Sequence, residues 1–212
     1  MKLLLHTCCG VCLAGSLYRL NQIHQQDQKN FNIDSIDEIL IYFYNPNIHP
    51  RTEYEKRQAQ IPKVIEWFKL HYPSINYAYL PFPYDLLEVK KWFNTTRPYW
   101  YDGENSLRCR ECFRFRLEKA FKHAFEYGYD LITTTLTISP HKDVSSILRI
   151  GKEIEAKYQG KIRFLDIIFR KKQGYLYSIK ISKALAIYHQ NYCGCIFSKL
   201  ERMNKIKQNH KH

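Results

Sequence analysis

A chain of 212 residues is long enough for one well-buried core, and 45% hydrophobic with 25% charged residues is ordinary for a soluble globular protein. No apolar run approaches the roughly 20 residues of a membrane helix, and the apolar stretch of MKLLLHTCCG is too short for a secretory signal, so a cytoplasmic location without membrane attachment is expected. The net charge of +13 is concentrated late, with twelve Lys or Arg against Asp166 and Glu201 in residues 161–212, and this points to a polyanionic partner.

The segment KLLLH (2–6) reads as a short buried strand, followed by a helical stretch from about Val11 to Gln25. DEILIYFYN (37–45) is a second strand, and residues 51–71 place apolar positions at helical spacing with Pro62 as a kink or break. INYAYLPFP (75–83) predicts a third strand, and helices are predicted over 85–94 and 110–127. The β-branched DLITTTLTI (130–138) fits a fully buried strand; a helix over 142–157, a last strand KIRFLDIIF (161–169) and a last long helix over 177–190 follow. Strands alternating with helices of this size predict an α/β fold: a doubly wound, mostly parallel sheet in a single domain over 1–198, with 199–212 as a basic C-terminal tail. Ligands bind such folds at the carboxyl ends of the strands, beside the point where strand order reverses. The loops carrying Cys8, Cys9 and Cys12, NPNIHP (45–50) and SPHK (139–142) are therefore expected on one sheet edge.

Seven cysteines in a reducing compartment favour catalysis or metal binding over a disulfide framework. They form three groups: Cys8, Cys9 and Cys12; Cys109 and Cys112; Cys193 and Cys195. Cys-x-x-Cys at a helix start lets two thiolates converge where free N–H groups help to carry negative charge. A four-ligand zinc site would leave three thiols unexplained. Neighbouring Cys8 and Cys9 diverge too far to face one ion easily, but they can grip different corners of a cluster. Cys8, Cys9, Cys109 and Cys112 are accordingly the preferred ligands of a [4Fe-4S] cluster. Cys193 and Cys195 would close a small, strained and labile disulfide ring, as a redox-active pair requires. An assignment in which the Cys-Gly-Cys pair ligates metal stays open beside it.

Five motifs in this order, HTCCGVC, YNPNIHPRTEYEKR, CRECFRFRLEKA, TLTISPHK and GYLYSIKISKALAIYHQNYCGCIFS, resemble the QueH family of epoxyqueuosine reductases from Leu4 to Ser198. The resemblance implies a nucleotide-hydrolase-like fold of the HUP or PP-loop-like type, whose first loop has become a thiol platform. It also implies an iron-sulfur cluster, a neighbouring mononuclear iron for which Cys12 is the candidate ligand, and a tRNA substrate whose epoxyqueuosine is reduced to queuosine, the last step of queuosine synthesis. Tyr177 and Ala184 depart from the Arg and the acidic residue expected of the family at those places. No nicotinamide or flavin fingerprint is evident, so an external electron donor is expected.

His6, His49 and His141 stand at strand ends, where an imidazole can donate a proton, contact substrate or fix a loop. Arg108, Arg110, Arg114, Arg116 and Lys119 around Cys-x-x-Cys, together with Lys171 and Lys172 in FRKKQGYLY, are the expected tRNA contacts, and TTRPYWYDG (95–103) is a candidate base-binding loop. Two rival readings are a zinc-stabilised RNA-binding module and an ATP-dependent tRNA thiolation enzyme of the same fold. The second wants a Ser-Gly-Gly-type phosphate loop where this chain has Cys-Cys-Gly.

Overall fold

The computed structural model describes residues 1–209, with side chains described through Asn204; the last three positions of the expected basic tail lie outside the described residues. Five strands, β1 (Lys2–His6), β2 (Glu38–Phe43), β3 (Asn76–Pro81), β4 (Leu131–Thr134) and β5 (Arg163–Phe164), form one all-parallel sheet in the order β3-β2-β1-β4-β5. Leu3, Leu4 and Leu5 are fully buried, as a central parallel strand covered on both faces requires. β1 pairs Leu4 with Leu40 on one side and with Ile132 on the other. Strand order thus reverses between β1 and β4, and the loop after β1 emerges at the switch point.

The crossovers run through α1 (Gly10–Gln22), α2 (Arg51–Gln58), α3 (Ile61–His71), α4 (Leu86–Thr96), α5 (Leu107–Glu126) and α6 (Val144–Ala156), followed by α7 (Gly174–Ala184) and α8 (Ile196–Asn209). α1 packs with α3 and α7, and α5 with α4 and α6, so two helical layers form, as right-handed crossovers on a parallel sheet lead one to expect. Among the described residues no helix is long and apolar enough to cross a membrane.

The helical stretch over 51–71 breaks as expected, between α2 and α3, with Pro62 in the first turn of α3, where its missing N–H is no loss. Departures from the sequence reading have local causes. The expected strand over 130–138 stops at Thr134, because Thr134 Oγ1 accepts from Leu136 N at 3.2 Å and starts a 3-10 turn over Thr135–Ile138. The strand expected over 161–169 pairs only as Arg163–Phe164, and the last predicted helix begins earlier, at Gly174, and ends at Ala184. The expected tail from 199 continues α8, which begins at Ile196 and runs through the expected boundary at 198.

α1 and α7 cross so closely that glycine is required. A Cβ on Gly15 would lie 2.3 Å from Gly174 O and 2.5 Å from Ile138 Cδ1. Gly15→Ala is expected to cost about 1–3 kcal/mol by overpacking and to lower the melting temperature by several degrees. An unchanged calorimetric transition would contradict this seam.

Candidate active site

After His6 the chain leaves the sheet with Thr7 N donating to Tyr42 O, and Cys9 becomes the N-cap of α1, its Sγ accepting from Cys12 N at 3.4 Å. Cys12, one turn into the helix, returns to the same corner. The Sγ atoms of Cys8, Cys9 and Cys12 all lie within 4.8 Å of one another, and all three residues are buried. Gln190 Nε2 donates to Cys9 Sγ at 3.1 Å, and Thr135 Oγ1 lies 3.6 Å from Cys8 Sγ. The sulfurs of Cys12 and Cys9 beside it lower the Cys8 thiol well below its usual range, while Cys8, Cys9 and burial push Cys12 up.

A second group gathers around the first turn of α5. Cys112 and Cys195 pack with Trp92, Asn105 N donates to Cys109 Sγ at 3.4 Å, and Ser198 N, at the start of α8, donates to Cys195 Sγ at 3.3 Å. Burial first, then the neighbouring Cys193, pushes both Cys109 and Cys195 up to about 12. All seven cysteines are free thiols.

Both groups open on one cavity of about 490 Å³, lined by Cys8, Cys109 and Cys193, by Asn47, Ile48, Ser139 and His141, and by Arg57, Arg116 and Lys142. The three loops predicted to share a sheet edge do so. Burial opposes the charge of Lys142, but Cys193, Cys8 and Cys12 hold its ammonium above the usual lysine range. Arg116 is buried, its Nη2 donating to Asn45 Oδ1 at 2.6 Å, and Asn45 Nδ2 donates to Thr7 O, so the NPN loop braces the thiol loop.

The four preferred cluster ligands divide between the groups. Cys8 and Cys9 stand with Cys12, which was set aside for a second iron, and Cys109 and Cys112 stand with Cys193 and Cys195. Of the three histidines only His141 lines the cavity. His6 is fully buried, with Nδ1 2.8 Å from Thr134 Oγ1 and Nε2 3.3 Å from Tyr44 O, and burial, then Arg116, lowers its pKa to about 3. Both ring nitrogens have partners on neighbouring elements, so His6 ties β1 to β4 and to the loop after β2. His49 is half-buried and fixes loops through its backbone.

Arg108, expected on tRNA, is 2% exposed; it pairs with Glu201 at 2.6 Å, donates to Trp100 O and lies over Phe197, so it docks α8 instead of facing solvent. Arg110 and Arg114 are part-exposed and paired with Asp143 and Glu153, while Lys171 and Lys172 are exposed. Trp100 and Tyr101, in the expected base-binding loop, are 63% and 71% exposed. Tyr177 stacks on Tyr18 at 3.6 Å between ring centroids. Sequence reasoning missed Arg57 and Gln190. Glu53, four residues before Arg57, signalled a helical ion pair, but nothing local signalled its burial.

The family model for the epoxyqueuosine reductase QueH matches residues 3–201. The chain belongs to the QueH family. It is 39% identical over 202 residues to the epoxyqueuosine reductase QueH of Thermotoga maritima, covering 95% of this chain and 92% of that one. Against the QueH proteins of Staphylococcus epidermidis and Haemophilus influenzae it is 33% and 32% identical, covering 98% of this chain and 80% and 75% of theirs. In this QueH chain the close group of metal-capable side chains is made of sulfur alone among the described residues. Buried, clustered thiols of this kind are soft donors that fit iron-sulfur chemistry.

Proposed function

We propose that the chain reduces the epoxide of epoxyqueuosine in tRNA to the alkene of queuosine, as a cytoplasmic iron-sulfur oxidoreductase supplied by an external electron donor. The observation that carries this is the set of three buried sulfurs within 4.8 Å, at the switch point of the sheet and beside the cavity. Removing the epoxide oxygen as water consumes two electrons and two protons. A [4Fe-4S] cluster held by Cys8, Cys9, Cys109 and Cys112, with Cys12 available to a neighbouring iron, would supply low-potential electrons and polarise the epoxide oxygen.

The chain's own residues supply the rest. Lys142 and Arg116 bring positive charge to the cavity wall, where the epoxide oxygen becomes negative as its C–O bond breaks. His141, at the same wall, is the proton donor with access to that oxygen. Cys193 lines the cavity and Cys195 is buried behind it, and their oxidation to a disulfide releases two electrons and two protons, matching what the epoxide consumes. Arg110, Arg114, Lys171 and Lys172 meet tRNA phosphates, and the exposed rings of Trp100 and Tyr101 stack on anticodon bases.

Anaerobic purification followed by nucleoside mass spectrometry of epoxyqueuosine-containing tRNA tests this reading. The expected protein is brown, absorbs broadly at about 400 nm and carries several irons per chain; with reductant it forms queuosine. A colourless protein with one zinc, or ATP-dependent sulfur transfer to tRNA, would overturn it.

A further inference from the structure

One guanidinium holds the Cys193-Gly194-Cys195 turn from outside. Arg57 on α2 is 2% exposed, and its Nε donates to Glu53 Oε1 at 2.8 Å, which leaves both terminal nitrogens to the turn. Nη1 donates to the carbonyl of Cys193 at 3.0 Å and Nη2 to that of Tyr192 at 3.1 Å, with the guanidinium carbon 5.4 Å from the centre of the Tyr192 ring. The other Glu53 oxygen accepts from Tyr188 Oη at 2.9 Å, on the segment leading into the turn. The next carbonyl, of Gly194, accepts from His49 N at 2.8 Å. Three consecutive carbonyls are thus tied to α2 and the loop before it. Gly194 has φ +124, and a Cβ there would lie 3.0 Å from Arg57 Nη1 and 3.2 Å from Ile48 Cγ1. A buried ion pair contributes little net stability by itself, because desolvation offsets its attraction. Two consecutive turn carbonyls and a carboxylate converging on this one guanidinium point to orientation as its use.

We propose that Arg57, aimed by Glu53, is a positioning residue for the Cys193/Cys195 pair: it fixes the turn in its dithiol geometry, with Cys193 at the cavity wall and Cys195 against the start of α8. The proposal rests on reading that pair as redox-active. Oxidation breaks two S–H bonds, forms one S–S bond and releases two electrons and two protons. Joining the two free sulfurs has to rearrange this turn, whose Cys193 and Gly194 carbonyls Arg57 and His49 hold. Stabilising the reduced form makes a dithiol pair more oxidising, so the clamp returns it readily to the dithiol after each turnover.

The test compares the native holoprotein with Arg57→Gln, Arg57→Lys and Glu53→Gln. It uses glutathione redox buffers with alkylation and mass spectrometry of the 193–195 peptide, and hydrogen exchange over 190–195. Arg57→Gln is expected to favour the disulfide about tenfold, equivalent to a potential about 30 mV more negative, to raise exchange at 192–195, and to lower kcat with little change in KM for tRNA. Arg57→Lys should recover part of each change. If Arg57→Gln fails to fold, Glu53→Gln, which leaves the guanidinium bonds to the turn in place, is expected to show a smaller shift of the same sign. Native potential and native exchange in the folded variants would overturn the proposal. If the native pair forms no disulfide at any glutathione ratio, the redox reading falls separately. In that case increased exchange in Arg57→Gln still supports the positioning role, and unchanged exchange overturns it.

Discussion

Cys9→Ser yields a folded protein that binds no iron, is colourless and forms no queuosine. Folding survives because serine is among the best N-cap residues, and its hydroxyl can take the bond from Cys12 N that the Cys9 thiol accepts in the native chain. Iron does not survive, because a hydroxyl is a poor substitute for a thiolate in a soft donor set. Cys9 is also the sulfur that Gln190 addresses at 3.1 Å, inside the group spanning 4.8 Å. Turnover should fall by at least about 10³-fold, as when an essential catalytic group is removed. Iron analysis, the visible spectrum and single-turnover nucleoside analysis check this together. A Cys9→Ser protein with native iron content and native turnover would remove the first-loop thiols from the active centre.

Cys195→Ser gives the complementary result: absorption near that of the native protein and turnover lower by about 10³-fold with a natural reductant. Here too serine replaces an N-cap, since Cys195 Sγ accepts from Ser198 N at 3.3 Å at the start of α8, so α8 and its Arg108–Glu201 anchor should stay docked. What is lost is the partner that lets Cys193 give up its share of two electrons. Retained turnover would remove the redox pair. Loss of iron along with turnover would assign the Cys-Gly-Cys pair to the metal, the alternative that spacing left open.

The sheet was legible because its signals are local. A run such as KLLLH has one reading when it must be buried on both faces, and β1 begins and ends where the hydrophobic pattern does. The strand expected over 130–138 was overextended for a side-chain reason: threonine hydroxyls that look like β-propensity instead take over backbone groups, Thr134 at Leu136 N and Thr137 at Ile167 O. α8 was hidden by its charge. Ile196, Phe197, Leu200 and Met203 carry helical spacing, but the helix is held by a long-range ion pair between Arg108 and Glu201 that no local pattern announces.

The thiol site shows the same division. The three cysteine groups followed from spacing, and the shared sheet edge of the loops 8–12, 45–50 and 139–142 from the switch-point rule. Residues three apart across a helix start point to the same corner, and Cys12 does share one with Cys9. Charge could not tell a cation facing solvent from one buried under a loop, so Arg108 read as a phosphate contact and Arg57 went unread.

The central claim, that the first-loop sulfurs hold the electron-storing centre, is tested most directly by an anaerobic crystal structure with anomalous scattering measured at the iron edge. Several iron sites bonded to Cys8 and Cys9 Sγ are expected at the floor of the cavity. An iron-free cavity, or a single zinc held by these cysteines, would contradict it.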